Sequence, residues 1–175
     1  MSYNYLNEEK SPKILVQAKS LLGTKEIAGS VHSNVIMGWA KNLGLEKIYT
    51  SDEIAWCGLF MAEVCRRAGI ETNLTPKQAL WALNWSKFGT RKTVAMLGDV
   101  LTFKRSNGGH VGIYVGEDDT CYHVLGGNQS NMVCVTRIEK SRLNSISRTK
   151  WLMTQPENVR IVRLNSNGII SKNES

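Results

Sequence analysis

The sequence predicts an α+β domain in which N-terminal helices pack on an antiparallel sheet of about five strands. Two observations carry this reading. Up to residue 82 apolar side chains recur three and four positions apart, the spacing of a helix face. After residue 98 they alternate with polar ones between turn-forming clusters, the spacing of strands. A length of 175 residues suits one core without covalent staples. A single domain over 1–175 is therefore expected, with its core over about 11–165 and a polar, frayed tail over 166–175.

The helices follow in order. Ile14, Leu15, Ala18, Leu21 and Leu22 share one face of a helix that Ser11 and Pro12 open and Gly23 closes. Val35, Ile36, Trp39, Ala40 and Leu43 predict a second over Ser33–Leu43. A third carries Cys57, Met61 and Cys65 on one row and Phe60, Val64 and Ala68 on the next, and Gly69 stops it. Thr75-Pro76 caps a short helix reaching Ala82 and continuing toward Trp85 and the turn at Gly89. Strands are expected at 99–104, 110–116, 121–125, 132–137 and 159–164, joined by Ser106–Gly109 and by the acidic turn Glu117-Asp118-Asp119.

Composition removes several classes of function. Hydrophobic residues make up 42% and charged residues 21%, so the chain is neither fibrous nor low in complexity. No apolar stretch approaches the roughly 18 residues of a membrane span, and stable membrane insertion is not expected. Met1–Glu9 has neither the basic start nor the apolar centre of a signal peptide, which predicts synthesis in a cytoplasm and assisted export. The formal charge is +7, which favours anionic polymers. The basic residues form no recognisable nucleic-acid motif, so nucleic acid is not the expected partner. Cys57, Cys65, Cys121 and Cys134 are read as free thiols. The first two lie eight residues apart on one helix, about 12 Å along its axis and beyond the reach of a disulfide.

One pairing of residues suggests chemistry. Cys57 falls in the first turn of the third helix, where unpaired backbone N–H groups favour a thiolate, and His110 leads a strand as Gly109-His110-Val111-Gly112. A thiol and an imidazole can act as nucleophile and base. Gly58 leaves room for a substrate carbonyl, and Trp56 and Phe60 shield the sulfur. If the hairpin turns at Asp118-Asp119, His110 lies opposite about residue 127, which places Asn128 beside the ring as an orienting amide. His123 competes for that role. Cys65, Cys121 and Cys134 read as structural.

These segments resemble the papain-like cysteine peptidases of the NlpC/P60 and CHAP superfamily, especially a single-domain branch found among bacteriophage lysins and uncharacterised bacterial proteins. The resemblance rests on Leu22-Gly23-Thr24-Lys25-Glu26, Asp52–Phe60, Ala79-Leu80-Trp81 to Gly89, Gly98-Asp99-Val100, Gly109–Gly116 and Leu125-Gly126-Gly127-Asn128-Gln129, in that order over residues 11–165. It implies a papain-like NlpC/P60 fold, Cys57 as nucleophile, His110 as base and a third polar group, Asn128 or His123. In many such enzymes the third group is a histidine about a dozen residues after the first. It also implies cleavage of peptidoglycan by an endopeptidase or an N-acetylmuramoyl-L-alanine amidase, with no cofactor, in a monomer. A phage endolysin released by a holin fits, as does a secreted bacterial toxin.

Trp56, Trp81 and Trp85 are candidate walls of a substrate groove, the last two sharing one helical face. The acidic turn at 117–119 is read as a solvated hairpin turn rather than a calcium site. Two other classes stay open. One is a metal-dependent hydrolase using Cys57, His110, Cys121 and His123, although their spacing is loose for a metal site. The other is a non-catalytic wall-binding or structural phage module of the same fold.

Overall fold

The apolar rows of the first eighty residues form five short helices: α1 (Tyr5–Glu8), α2 (Lys13–Lys19), α3 (Asn34–Asn42), α4 (Cys57–Ala68) and α5 (Pro76–Ala79). They belong to a computed structural model that describes residues 3–8, 10–151, 154–166 and 169–172. The helix carrying Cys57 is central. Every residue from Cys57 to Cys65 in α4 is buried, and the helix packs against α2, α3 and the sheet. It ends where Gly69 adopts a left-handed conformation at φ 65°, open to glycine at no steric cost. Glu63 is buried in α4 and held by Arg66 and Arg67, at 2.7 and 2.8 Å, so its charge is compensated.

The chain after α5 runs as a 3₁₀ turn over Ala82–Lys87 and then enters the sheet. Its strands are β1 (Thr90–Lys92), β2 (Val100–Arg105), β3 (Gly108–Glu117), β4 (Cys121–Gln129), β5 (Met132–Glu139) and β6 (Leu143–Arg148). They lie in the order β1-β6-β2-β3-β4-β5, every neighbouring pair antiparallel. The architecture is therefore α+β with six strands rather than five.

Two differences from expectation have physical causes. β6 reads Leu-Asn-Ser-Ile-Ser-Arg, too polar for a buried strand, yet the side chains of Ser145 and Arg148 are paired inside. Ser145 shares a 2.6 Å hydrogen bond with Thr102, and Arg148 donates from Nε and Nη2 to both oxygens of Asp99 at 2.7 Å. Segment 159–164, apolar enough to suggest a strand, contributes only a bridge between Arg163 and Glu117. The tail expected to fray at 166–175 falls partly outside the described residues. Within them, Ile170 bridges Arg137, and Ser171 donates its amide to the Arg137 carbonyl.

Strand alternation divides the core in two. Val111, Ile113 and Val115 of β3 face the helices and join the cluster built on α4. Tyr114 faces the other way, with Leu101, Phe103, Val124, Ile138 and Ile146. β4 departs from regular pairing near its end. Gly126 is paired with Cys134 but Gln129 with Met132, so one extra residue is accommodated, and Asn128 there has φ 56°. No helix among the described residues is long and apolar enough to cross a membrane.

Gly127 sets the distance between β4 and α4. A Cβ at that position would stand 2.6 Å from Phe60 Cβ and 2.7 Å from Trp56 Cζ3, neither of which can rotate away. Gly127→Ala is therefore expected to destabilise the protein by about 1–3 kcal/mol in urea denaturation, the cost of overpacking a filled core.

Candidate functional site

The start of α4 meets the start of β3. The two strands β3 and β4 are paired from Ile113 and Leu125 onward. Beside that pairing, before Ile113, the Val111 amide comes close enough to the Cys57 thiol to favour its charged form, as do the amides of Gly58 and of Cys57 itself. The thiol expected as nucleophile thus lies by Val111, the residue after the expected base.

His110 is fully buried, and its Nε2 lies 3.0 Å from Gln129 Oε1. The amide's orientation follows from its other contacts. Gln129 Nε2 donates to the carbonyls of Val124 at 3.2 Å and Cys134 at 2.5 Å, and carbonyls only accept. The oxygen of Gln129 therefore faces the ring and must accept, so His110 carries its proton on Nε2. That leaves Nδ1 as the nitrogen with a lone pair. Gly126 makes the contact sterically feasible, because a Cβ there would lie 2.9 Å from Gln129 Oε1 and 3.2 Å from His110 Nε2.

The side chain that meets the His110 ring at Nε2 is therefore Gln129, where the sequence pointed to Asn128 or His123. Asn128 is buried at the bulge in a left-handed conformation, and the extra residue there turns Gln129, not Asn128, onto the face shared by Gly126 and His110. His123 sits opposite Gly116, well along the strand from His110. Its Nε2 meets Asp118 at 2.8 Å and its Nδ1 meets the Tyr3 hydroxyl at 2.9 Å. Asp118 also accepts from Arg137, from the Thr120 hydroxyl and from the amides of Thr120 and Cys121. Among the described residues no three His, Cys, Asp or Glu side chains are grouped to hold a metal ion.

The thiol's environment modifies one expectation. Burial pushes the Cys57 pKa up and outweighs the three amide donors and the positive charge of Arg105. The helix N-terminus alone does not make this thiol a thiolate. Gly58 is not open space either, since a Cβ on it would stand 2.3 Å from the Ala79 carbonyl and 2.6 Å from that of Leu80. The segment after α5 thus crosses the helix start and reaches β3, where Leu83 lies against Gly109.

The three candidate tryptophans separate. Trp56 is fully buried against Trp39, and its indole N–H donates to Glu26 at 3.0 Å. Trp85 is also fully buried and donates to the Ala79 carbonyl at 2.9 Å. Trp81 is 71% exposed. The helix expected to hold Trp81 and Trp85 on one face breaks between them, because Trp81 takes an extended conformation before the 3₁₀ turn.

Two residues outside the candidate set support the helix start. Asp52 accepts from the amides of Ile27 and Ser33, at 3.0 and 2.8 Å, and pairs with His32 at 3.0 Å, tying the 24–33 loop to the residues before Cys57. Burial alone would raise its pKa, but these donors outweigh it and hold the carboxyl below its ordinary value. Glu26 anchors Trp56. An acidic residue shortly before a tryptophan-cysteine pair was visible in sequence, but its partners lie some twenty residues away.

No family model, curated protein or solved structure matches the chain.

Asp118 gives a test of the His123 network. Burial opposes its charge, yet Arg137, His123 and the two amides hold its carboxyl far below the usual range. A pKa depressed by folding contributes stability above the unfolded value of about 3.9 and loses it as pH falls. Asp118→Asn should cost about 3 kcal/mol at neutral pH, because it strands Arg137 and His123. Its unfolding midpoint should also fall less steeply than the wild type's below about pH 4, as read by thermal melts across pH.

Proposed function

We propose that the protein is a cysteine hydrolase of peptide or amide bonds in peptidoglycan, of the papain-like NlpC/P60 and CHAP type. The observation that carries this reading is the His110–Gln129 hydrogen bond. It leaves a lone pair on Nδ1 of the residue that precedes Val111, whose amide acts on the Cys57 thiol. Because burial keeps the thiol protonated, His110 acts as a general base during attack rather than as half of a resting ion pair. Nδ1 takes the Sγ proton as sulfur bonds to the carbonyl carbon. The resulting imidazolium returns that proton to the departing amine as the C–N bond breaks, leaving a thioester on Cys57. Water attacks the thioester while Nδ1 accepts its proton, and the acid product leaves with the thiol restored. Endopeptidase and amidase use the same steps on different amides. A net charge of +7 suits an anionic envelope. Synthesis in a host cytoplasm followed by holin-dependent release completes the proposal for a phage endolysin, and a secreted wall-degrading toxin uses the same site.

One observation favours a second reading, a non-catalytic wall-binding or structural module of the same fold. Cys57 is only 4% exposed and His110 is fully buried beneath the segment that carries Leu83. A turnover assay separates the two.

Cys57→Ala is expected to abolish release of fragments from purified Gram-negative peptidoglycan while its circular dichroism spectrum stays unchanged, with EDTA having little effect on the wild type. Mass spectrometry of the fragments identifies the bond cut, and undiminished activity in the variant would remove the mechanism. Gln129→Ala should lower kcat by about tenfold to a hundredfold, part of what a positioned general base supplies, with KM little changed. Gln129→Asn should recover part of that loss, and Asn128→Ala should leave the pH profile of kcat as it is.

A further inference from the structure

Glu26 stands where two parts of the candidate site meet. Residues 23–26 run beside the tip of the β4–β5 hairpin. The amides of Gly23 and Glu26 donate to the carbonyls of Val133 and Asn131 at 2.9 and 3.1 Å, and the Val133 amide donates to the Thr24 carbonyl at 2.8 Å. Lys25 bridges Met132, which is the ladder partner of Gln129, and the Gln129 side chain meets His110. The backbone of Glu26 is thus fastened to the hairpin that orients the imidazole.

Its side chain goes the other way. Glu26 Oε2 accepts the Trp56 indole N–H at 3.0 Å. Trp56 is fully buried and immediately precedes Cys57, and its carbonyl accepts the Phe60 amide at 2.8 Å, which closes the first turn of α4. Trp39 packs on the indole with ring centroids 6.0 Å apart, and at Gly127 of β4 even a Cβ would come within 2.7 Å of its Cζ3. A buried indole N–H that loses its acceptor keeps its desolvation penalty, so the ring shifts toward another acceptor or admits water. The ring is rigid and closely packed, so its shift passes to the Trp56–Cys57 peptide. That peptide supplies the Cys57 amide, one of the groups that favour a charged thiol.

We propose that Glu26 is a positioning residue: through the Trp56 indole it fixes Cys57 against β3, and through its backbone it holds the hairpin that carries Gln129 in place beside the same helix start. The proposal rests on the hydrolase reading of Cys57 and His110. The role requires an acceptor oxygen rather than a charge, because an indole N–H needs only a lone pair, and the amide of glutamine supplies one.

The test compares Glu26→Ala, Glu26→Gln, Trp56→Phe and the double variant Glu26→Ala/Trp56→Phe, each checked for folding by its melting temperature. On purified peptidoglycan, Glu26→Ala should lower kcat about tenfold with KM little changed, since a misplacement on the order of 1 Å at a reacting group costs up to about a hundredfold. Glu26→Gln should recover most of that loss. Trp56→Phe removes the same hydrogen bond from the donor side and should reproduce the effect, which keeps the test open if Glu26→Ala does not fold. Adding Glu26→Ala to Trp56→Phe should then lower kcat by less than about twofold more. The same proteins are read without substrate by the pH dependence of iodoacetamide alkylation at the peptide carrying Cys57, followed by mass spectrometry. The midpoint should move to higher pH in Glu26→Ala and Trp56→Phe and return in Glu26→Gln. A lower melting temperature with kcat and the alkylation midpoint as in wild type makes Glu26 a structural part only and overturns the proposal. So does a glutamine variant no better than alanine, or a fully multiplicative loss of kcat in the double variant. If the wild type cuts nothing while the midpoint follows the acceptor at residue 26, the hydrolase reading falls and the positioning of Cys57 stands.

Discussion

A helix buried along every residue from Cys57 to Cys65 leaves no face for solvent, and the rest of the molecule is arranged around that constraint. α2 and α3 cover one side and the sheet covers another. The first turn meets β3, where the Val111 amide acts on the thiol. Gly127 and Gly58 are needed because the chain passes so close to this helix: β4 approaches on the Phe60 side, and the carbonyls of Ala79 and Leu80 lie on its opening turn. Burial of one helix thus fixes both where the thiol sits and what covers it.

The same burial decides the thiol's charge. A helix N-terminus is worth typically 0.3–1 kcal/mol to an anion, whereas desolvation of a fully buried group shifts a pKa by up to several units. The larger effect wins, and Cys57 is held in the protonated form despite three amide donors and Arg105. This makes the tautomer of His110 more important. Gln129 sets it through a hydrogen bond whose direction is fixed by two backbone carbonyls, so the polarity of the site traces back to the β4–β5 ladder rather than to a charged partner.

Much of this was legible in the residues. Helical spacing located α4 to within about a turn, because Gly69 marks its end and the apolar rows mark its length. Thr75 and Gln78 form the reciprocal cap that Thr75-Pro76 suggests. The β2–β3 and β3–β4 hairpins were visible in their alternation and turns. β6 was hidden because its interior groups are Ser145, Ser147 and Arg148, which hydropathy counts as surface, and partners on β2 and at Asp99 hold Ser145 and Arg148 inside. Gln129 was hidden because counting along β4 assumes a strict period of two. A single added residue at Asn128 inverts every position after it.

The sequence by itself determined the order of the main elements, a helix start near Cys57 and a strand that carries His110, since each depends on local spacing and on glycine and proline positions. Tertiary structure alone decided which amide meets the imidazole, that Trp56 and Trp85 are interior while Trp81 is exposed, and that the thiol is neutral. Those outcomes depend on strand register and on desolvation, and both are set by residues distant in the chain.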